Sequence, residues 1–204
     1  MNNKFVIATA NKNKVKELNR MLEPLGLSAV TPKDMNIDMD EVVEDGDTFK
    51  ENSMKKAKFA YDKCKLPVIA DDSGLCVDAL NGDPGIYSAR YAGENATDQD
   101  KCIKVLKNLE GVPYEERTAT FHCGITCILN DEDIIYVEGL CKGVISFELE
   151  GTNGFGYDPI FIPDEPGNET MATLGGEHKD KVGHRGKALR LLQSELKKRI
   201  NWLC

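Results

Sequence analysis

Residues 66–77 read Leu66-Pro67-Val68-Ile69-Ala70-Asp71-Asp72-Ser73-Gly74-Leu75-Cys76-Val77, and the fold is decided there. Pro67 to Ala70 predicts a short buried strand. Two carboxylates follow it without a break. That order puts Asp71 and Asp72 at the strand's C-terminal end, where open α/β sheets bind ligands. Neighbours on an extended chain point to opposite faces, so one acid can enter a cleft while the other holds a loop.

Outward from this stretch, the pattern alternates between strands and helices. Phe5 to Thr9 is apolar, Ala10 to Lys14 is polar, and Val15, Leu18, Met21, Leu22 and Leu25 then recur at helical spacing up to Gly26. Asp47 or Thr48 can cap a second helix whose Phe49, Ala57, Ala60 and Cys64 share a face. Leu75 to Asn95 reads as an irregular loop, and Thr97 as the cap of a third helix buried through Ile103, Leu106 and Leu109. Residues 118–129 and 134–147 form a hairpin around Asn130-Asp131-Glu132. Gly151 to Pro159 is a glycine-rich loop before a short strand, Pro159 to Pro163. A last helix begins near Gly183 and carries Leu189, Leu192, Leu196, Ile200 and Leu203. No repeat or linker interrupts residues 1–204, so the expectation is one α/β domain with a mixed sheet, compatible with two lobes.

The 204 residues include 34 acidic and 26 basic side chains, a net charge of −8. This balance excludes a general nucleic-acid coat, whose affinity comes from Lys and Arg neutralising phosphates. Any phosphate site must be local. Met1 to Ala8 fits neither an export signal nor a membrane anchor, which points to the cytoplasm. Seven cysteines without a C-x-x-C pair read as reduced thiols. Cys123 and Cys127, on one side of a strand, read as core residues, with a metal site as the alternative.

Several polar groups fit phosphate chemistry, each with a plainer structural reading beside it. Asn11 and Lys14 lie at a strand-to-helix turn, where backbone N–H groups and the helix dipole favour an anion. The turn has no glycine, which excludes the G-x-x-x-x-G-K-[ST] loop; otherwise Lys14 is a solvated lysine. Lys56 projects within roughly 20 to 40° of Phe49 and Ala60. It either snorkels over apolar surface or reaches a fixed negative charge. Mg²⁺ takes one or two carboxylates plus phosphate oxygens and water. One of Asp71 and Asp72, with Glu44 from the acidic turn before the second helix, supplies such a pair; alternatively Glu44 is an exposed acid near a helix start. Phe155 among glycines can lie flat against a base or plug the core. Lys179, His184 and Arg185 offer donors that suit a six-keto base, since adenine carries an amino donor at that position; without a ligand they are a basic helix start.

Thr9 to Lys14, Glu44 to Lys56, Ala70 to Leu75, Pro84 to Tyr91, Gly154 to Pro159 and His184-Arg185-Gly186, in this order, resemble the inosine triphosphate pyrophosphatase family, also called dITP/XTP or RdgB-like pyrophosphatases. The resemblance implies an elongated mixed β-sheet flanked by helices, with two lobes and an active-site cleft between them. It further implies a cytoplasmic homodimer that uses Mg²⁺ to hydrolyse ITP, dITP and XTP to the monophosphate and pyrophosphate. Carried over by position, Thr9, Ala10, Asn11, Lys12, Asn13 and Lys14 contact the triphosphate. Asp72 is metal ligand and proton acceptor, and Glu44 and Lys56 accompany it. Ser73, Phe155, Gly156, Tyr157, Asp158, Lys179, His184 and Arg185 contact substrate. Gly183 stands where the family usually has Ser, removing a hydroxyl and a possible helix cap. Two rivals remain: an aspartyl-phosphate phosphatase, from Asp38-Met39-Asp40-Glu41-Val42, and a non-catalytic nucleotide sensor.

Overall fold

The computed structural model describes residues 4–9 and 11–200; Ala10, Leu203, Cys204 and the side chains of Met21, Leu25 and Ile200 lie outside the described part. A six-stranded sheet runs in the order β2-β1-β3-β4-β5-β6. Its strands are β1 (Lys4–Ile7), β2 (Ser28–Val30), β3 (Val68–Val77), β4 (Thr118–Ile128), β5 (Ile134–Ile145) and β6 (Phe161–Pro163). The helices are α1 (Lys12–Leu22), α2 (Phe49–Cys64), α3 (Asp98–Asn108), α4 (Gly176–Val182) and α5 (His184–Ile200). β1 is parallel to β2 and β3, and β5 is antiparallel to β6, so the sheet is mixed as the sequence predicts. The β4–β5 turn is closed by Asn130, whose Oδ1 accepts from the N–H groups of Glu132 and Asp133. No helix among the described residues is long and apolar enough to cross a membrane.

The chain divides into two compact units, one formed by residues up to Asp72 with Cys123–Glu138 and the segment from Ala188, the other by Ser73–His122 and Gly139–Lys187. In the first unit the strand alternation sorts the core onto two faces. Phe5, Ile7 and Ile69 pack with Leu18 and Leu22 of α1 and with Ala188, Leu189, Leu192 and Leu196 of α5. Val6, Ala8, Val68 and Ala70 pack with Ala57, Ala60 and Tyr61 of α2. Burying a leucine fully contributes about 1.5 to 3 kcal/mol, so these stripes fix α1 and α2 against opposite faces of β1 and β3. Cys123 and Cys127 sit in the same core beside Ile125, and no disulfide joins the described cysteines.

In the second unit α3 packs against Leu75 and Val77 of β3, Ala119 and Phe121 of β4, and Phe161 of β6. Its buried stripe is Cys102, Val105 and Leu109, with Leu106 at the edge, whereas Ile103 is 48% exposed. Cys102 counts as an apolar residue, which turns the stripe from the one the sequence predicts. Arg117 is buried beneath this layer and donates from Nε to the Ile145 carbonyl (2.9 Å) and from Nη2 to that of Ser146 (2.8 Å).

One other expectation changes, and two features add to the sequence reading. β3 continues to Val77, so the aspartates lie in mid-strand; Leu75 and Val77 bury on alternate positions and carry the strand on. They do lie beyond the last residues paired in parallel with β1, Ile7 and Ile69. The supposed loop after Leu75 holds short 3₁₀ turns at Asp78–Leu80 and Gly85–Tyr87. The polar, seven-residue α4 has no side-chain cap and left no signal in the sequence.

Candidate active site

The first unit gathers the lysines and acids. Asp71 continues the face of Ile69 and meets α1, where Lys14 Nζ lies 2.8 Å from its Oδ2. Asp72 continues the face of Ala70 and meets α2, where Lys56 Nζ donates to its Oδ1 at 2.9 Å. The two acids thus point oppositely and each takes its own lysine. Lys56 also donates to Glu44 Oε2 at 2.8 Å, so one ammonium ties both carboxylates. Burial pushes the Asp72 carboxyl above its ordinary value, and Lys56 and Lys14 offset this only in part. Burial alone would lower Lys56; the charges of Asp72, Glu44 and Asp71 outweigh it and hold the ammonium above its ordinary value.

Asp72 Oδ2 is buried and accepts no hydrogen bond. Such an oxygen beside a second acid fits a hard cation. Mg²⁺ takes one or two carboxylates and completes its octahedron with phosphate oxygens and water. The residues present therefore fit the group.

The α1 N-terminus is less open than its sequence predicts. Asn11 caps it, Oδ1 accepting from the N–H groups of Asn13 (2.9 Å) and Lys14 (3.3 Å), and Thr9 Oγ1 accepts from Asn11 N. Asn is among the strongest N-caps, so these N–H groups are already engaged. The exposed side chains of Lys12 and Asn13 remain available to an anion. Asp38 caps a 3₁₀ turn, Met39–Glu41, and does not close a buried strand, which removes the aspartyl-phosphate motif.

The second unit gathers the aromatic and basic group. Asp158 is buried, and its Oδ2 accepts from Phe155 N (2.8 Å) and Lys179 Nζ (2.7 Å). Gly154 has φ +79°, and a Cβ there would stand 2.0 Å from that same oxygen, so only glycine fits. Lys179 Nζ lies 4.5 Å and the Arg185 guanidinium 5.5 Å from the centre of the Phe155 ring. Arg185 Nη2 reaches Ser73 Oγ at 3.4 Å. Lys179, Arg185 and Phe155 are thus brought together. His184 instead stacks on Phe121, with centroids 4.6 Å apart. Tyr157 is a core residue whose hydroxyl donates to the Ser88 carbonyl (2.8 Å), and burial pushes its phenol up. At Gly183 a Cβ would stand 2.6 Å from the Lys179 carbonyl, which gives the glycine a packing reason here.

Two supporting residues escaped the sequence. Asn52, buried on α2, accepts from Gly46 N at 2.8 Å and pins the turn that presents Glu44; its signal is an amide on the stripe of Phe49 and Lys56. Asp98 accepts from Gly156 N at 2.7 Å.

The Ham1 family profile matches residues 5–195. A dITP/XTP pyrophosphatase from Geobacter sulfurreducens is 49% identical over 193 residues, covering 95% of this chain and 96% of its own. The dITP/XTP pyrophosphatase of Escherichia coli K12 is 47% identical over 197 residues, covering 95% and 98%. Among solved structures, a HAM1 protein from Coxiella burnetii superposes with a TM-score of 0.87 at 38% identity, covering 96% of this chain and 98% of that one. The Staphylococcus aureus Ham1 protein gives 0.85 at 38%, covering 96% and 99%. With its acids on β3, its lysines on α1 and α2, and this likeness running nearly end to end, the chain belongs to the Ham1 family.

Proposed function

We propose that this nucleoside-triphosphate pyrophosphatase takes purine triphosphates with a six-keto base, ITP, dITP and XTP, and releases the monophosphate and pyrophosphate with Mg²⁺. The observation that carries the reading is Lys56 held between Glu44 and Asp72, with Asp72 Oδ2 buried and accepting no hydrogen bond. A binding protein has no use for two carboxylates and a shared lysine set around one buried oxygen. Relatives named for dITP and XTP, matched over nearly the full chain, support the substrate class.

Asp72 and Glu44 would hold the ion, and bound Mg²⁺ would supply Lewis-acid stabilisation of phosphate charge. Asp72 takes a proton from the water that attacks the α-phosphorus. Lys14 and Lys56 offset charge on the transferring and leaving groups, with Lys12 and Asn13 as further phosphate contacts. Phe155 receives the base, and Arg185 donates to its six-keto oxygen. We propose as well a cytoplasmic homodimer, which a solution mass twice that of the chain would support.

The direct test is a nucleotide panel with Mg²⁺ and then with chelator, scored for pyrophosphate. Metal-dependent release from ITP, dITP and XTP well above ATP supports the reading; tight ITP binding without product would make the chain a sensor. Arg185→Ala is expected to cut the ITP-to-ATP ratio of kcat/KM by about 10- to 100-fold, because a site built to hydrogen-bond a substrate group discriminates strongly. An unchanged ratio would remove Arg185 from base recognition.

A further inference from the structure

We propose that Asp98, with Cys102 one turn along α3, is a positioning residue for the base-stacking ring of Phe155: the pair clamps Gly156 and so sets affinity for the nucleoside part of the substrate without touching it. The inference rests on the reading above, in which Phe155 receives the base.

The clamp grips both polar groups of one residue. Gly156 N donates to Asp98 Oδ2 at 2.7 Å, and Cys102 Sγ donates to the Gly156 carbonyl at 3.3 Å. Gly156 has φ +65°, a left-handed conformation that costs glycine little and leaves its amide dependent on outside partners. The other side of the ring's backbone is already fixed, since Phe155 N donates to Asp158. Phe155 is thereby held from both flanks, and its ring is where the charges of Lys179 and Arg185 meet.

Helix capping does not account for Asp98. Thr97 and Asp100 form a complete capping box at the start of α3, and Asp98 turns away from it to the loop. Its other oxygen, Oδ1, is held by Lys101 Nζ at 2.6 Å, which fixes the carboxylate's orientation. Burial disfavours the charge, yet the bonds from Lys101 and Gly156 N hold the carboxyl below its ordinary value, so it stays ionised. Burial pushes the Cys102 thiol up to about 12, which keeps the proton that donates to the carbonyl.

The test compares wild type, Asp98→Ala and Asp98→Asn by steady-state kinetics on ITP, by inhibition with inorganic tripolyphosphate, which has no base, and by hydrogen exchange of the Gly156 amide. Asp98→Ala is expected to raise KM for ITP about 5- to 20-fold, a part of what base stacking contributes. It should leave kcat within about twofold and the tripolyphosphate inhibition constant unchanged, as for a change confined to nucleoside binding. Asp98→Asn keeps an acceptor for Gly156 N and is expected to restore most of the affinity. The Gly156 amide should be protected in wild type and exchange at least about tenfold faster in Asp98→Ala, as for a lost hydrogen bond. An unchanged KM for ITP, or an equal rise in the tripolyphosphate constant, would overturn the proposal. If wild type releases no pyrophosphate from ITP, the functional reading fails instead; the exchange data still decide the clamp, and a wild-type Gly156 amide without protection overturns it.

Discussion

Asp72→Asn is expected to lower kcat for ITP by about 10³-fold, the loss typical when a general base is removed. Its side chain carries both ends of the proposed chemistry. Oδ1 accepts from Lys56, and Oδ2 is the buried oxygen without a hydrogen bond. The asparagine keeps the shape and the Lys56 contact but cannot take a proton. The amide leaves the buried Lys56 ammonium with Glu44 as its main counter-charge, so part of the pair's stability is lost. Turnover should therefore collapse far beyond what the accompanying fall in thermal midpoint can explain. Near-wild-type turnover with Mg²⁺ would show that Asp72 is not the base.

Lys56→Met should act on stability as well as on rate. The ammonium is 9% exposed and bonds to two carboxylates, Asp72 at 10% and Glu44 at 37% exposure. Breaking a buried pair costs about 3 to 5 kcal/mol. Partial exposure of Glu44 admits water to its side of the pair, so a loss of about 2 to 4 kcal/mol is expected. Turnover should drop by about 10²- to 10³-fold, the scale of one lost electrostatic stabiliser. The proton equilibrium gives a second readout. Burial raises the Asp72 carboxyl and Lys56 restrains it, so the variant's Asp72 must hold its proton to higher pH. Carboxyl NMR of the metal-free protein should place the Asp72 midpoint above the ordinary 3.8 in wild type and higher still in Lys56→Met. An unmoved midpoint would mean that the two groups do not interact as their distance implies.

Apolar periodicity made most of the fold legible, because a buried stripe is written locally in the chain. Strand β1, helices α1, α2 and α5, and the β4–β5 hairpin all follow from such stripes and their caps. Lys56 was readable for the same reason, as a charge set on the edge of an apolar face. What stayed hidden depends on contacts between distant segments. The extension of β3 through Asp71 and Asp72 needs Lys14 and Lys56 to neutralise acids that strand propensity disfavours. The α1 N-terminus reads as open from the sequence, whereas the Asn11 side chain folds back and caps it. Tyr157 and His184 make contacts that their motifs do not announce: one donates to a core carbonyl and the other stacks on Phe121. Asp98 sits 58 residues from the glycine it holds, and no local pattern announces such a bond.

The most direct measurement is hydrolysis of ITP in ¹⁸O-labelled water with Mg²⁺, followed by mass analysis of both products. Attack on the α-phosphorus with Asp72 as base should place the label in the monophosphate and none in the pyrophosphate, and Asp72→Asn should suppress its incorporation. Label in the pyrophosphate, or release of orthophosphate in its place, would mean that water attacks elsewhere and would contradict the assignment of these acids and lysines.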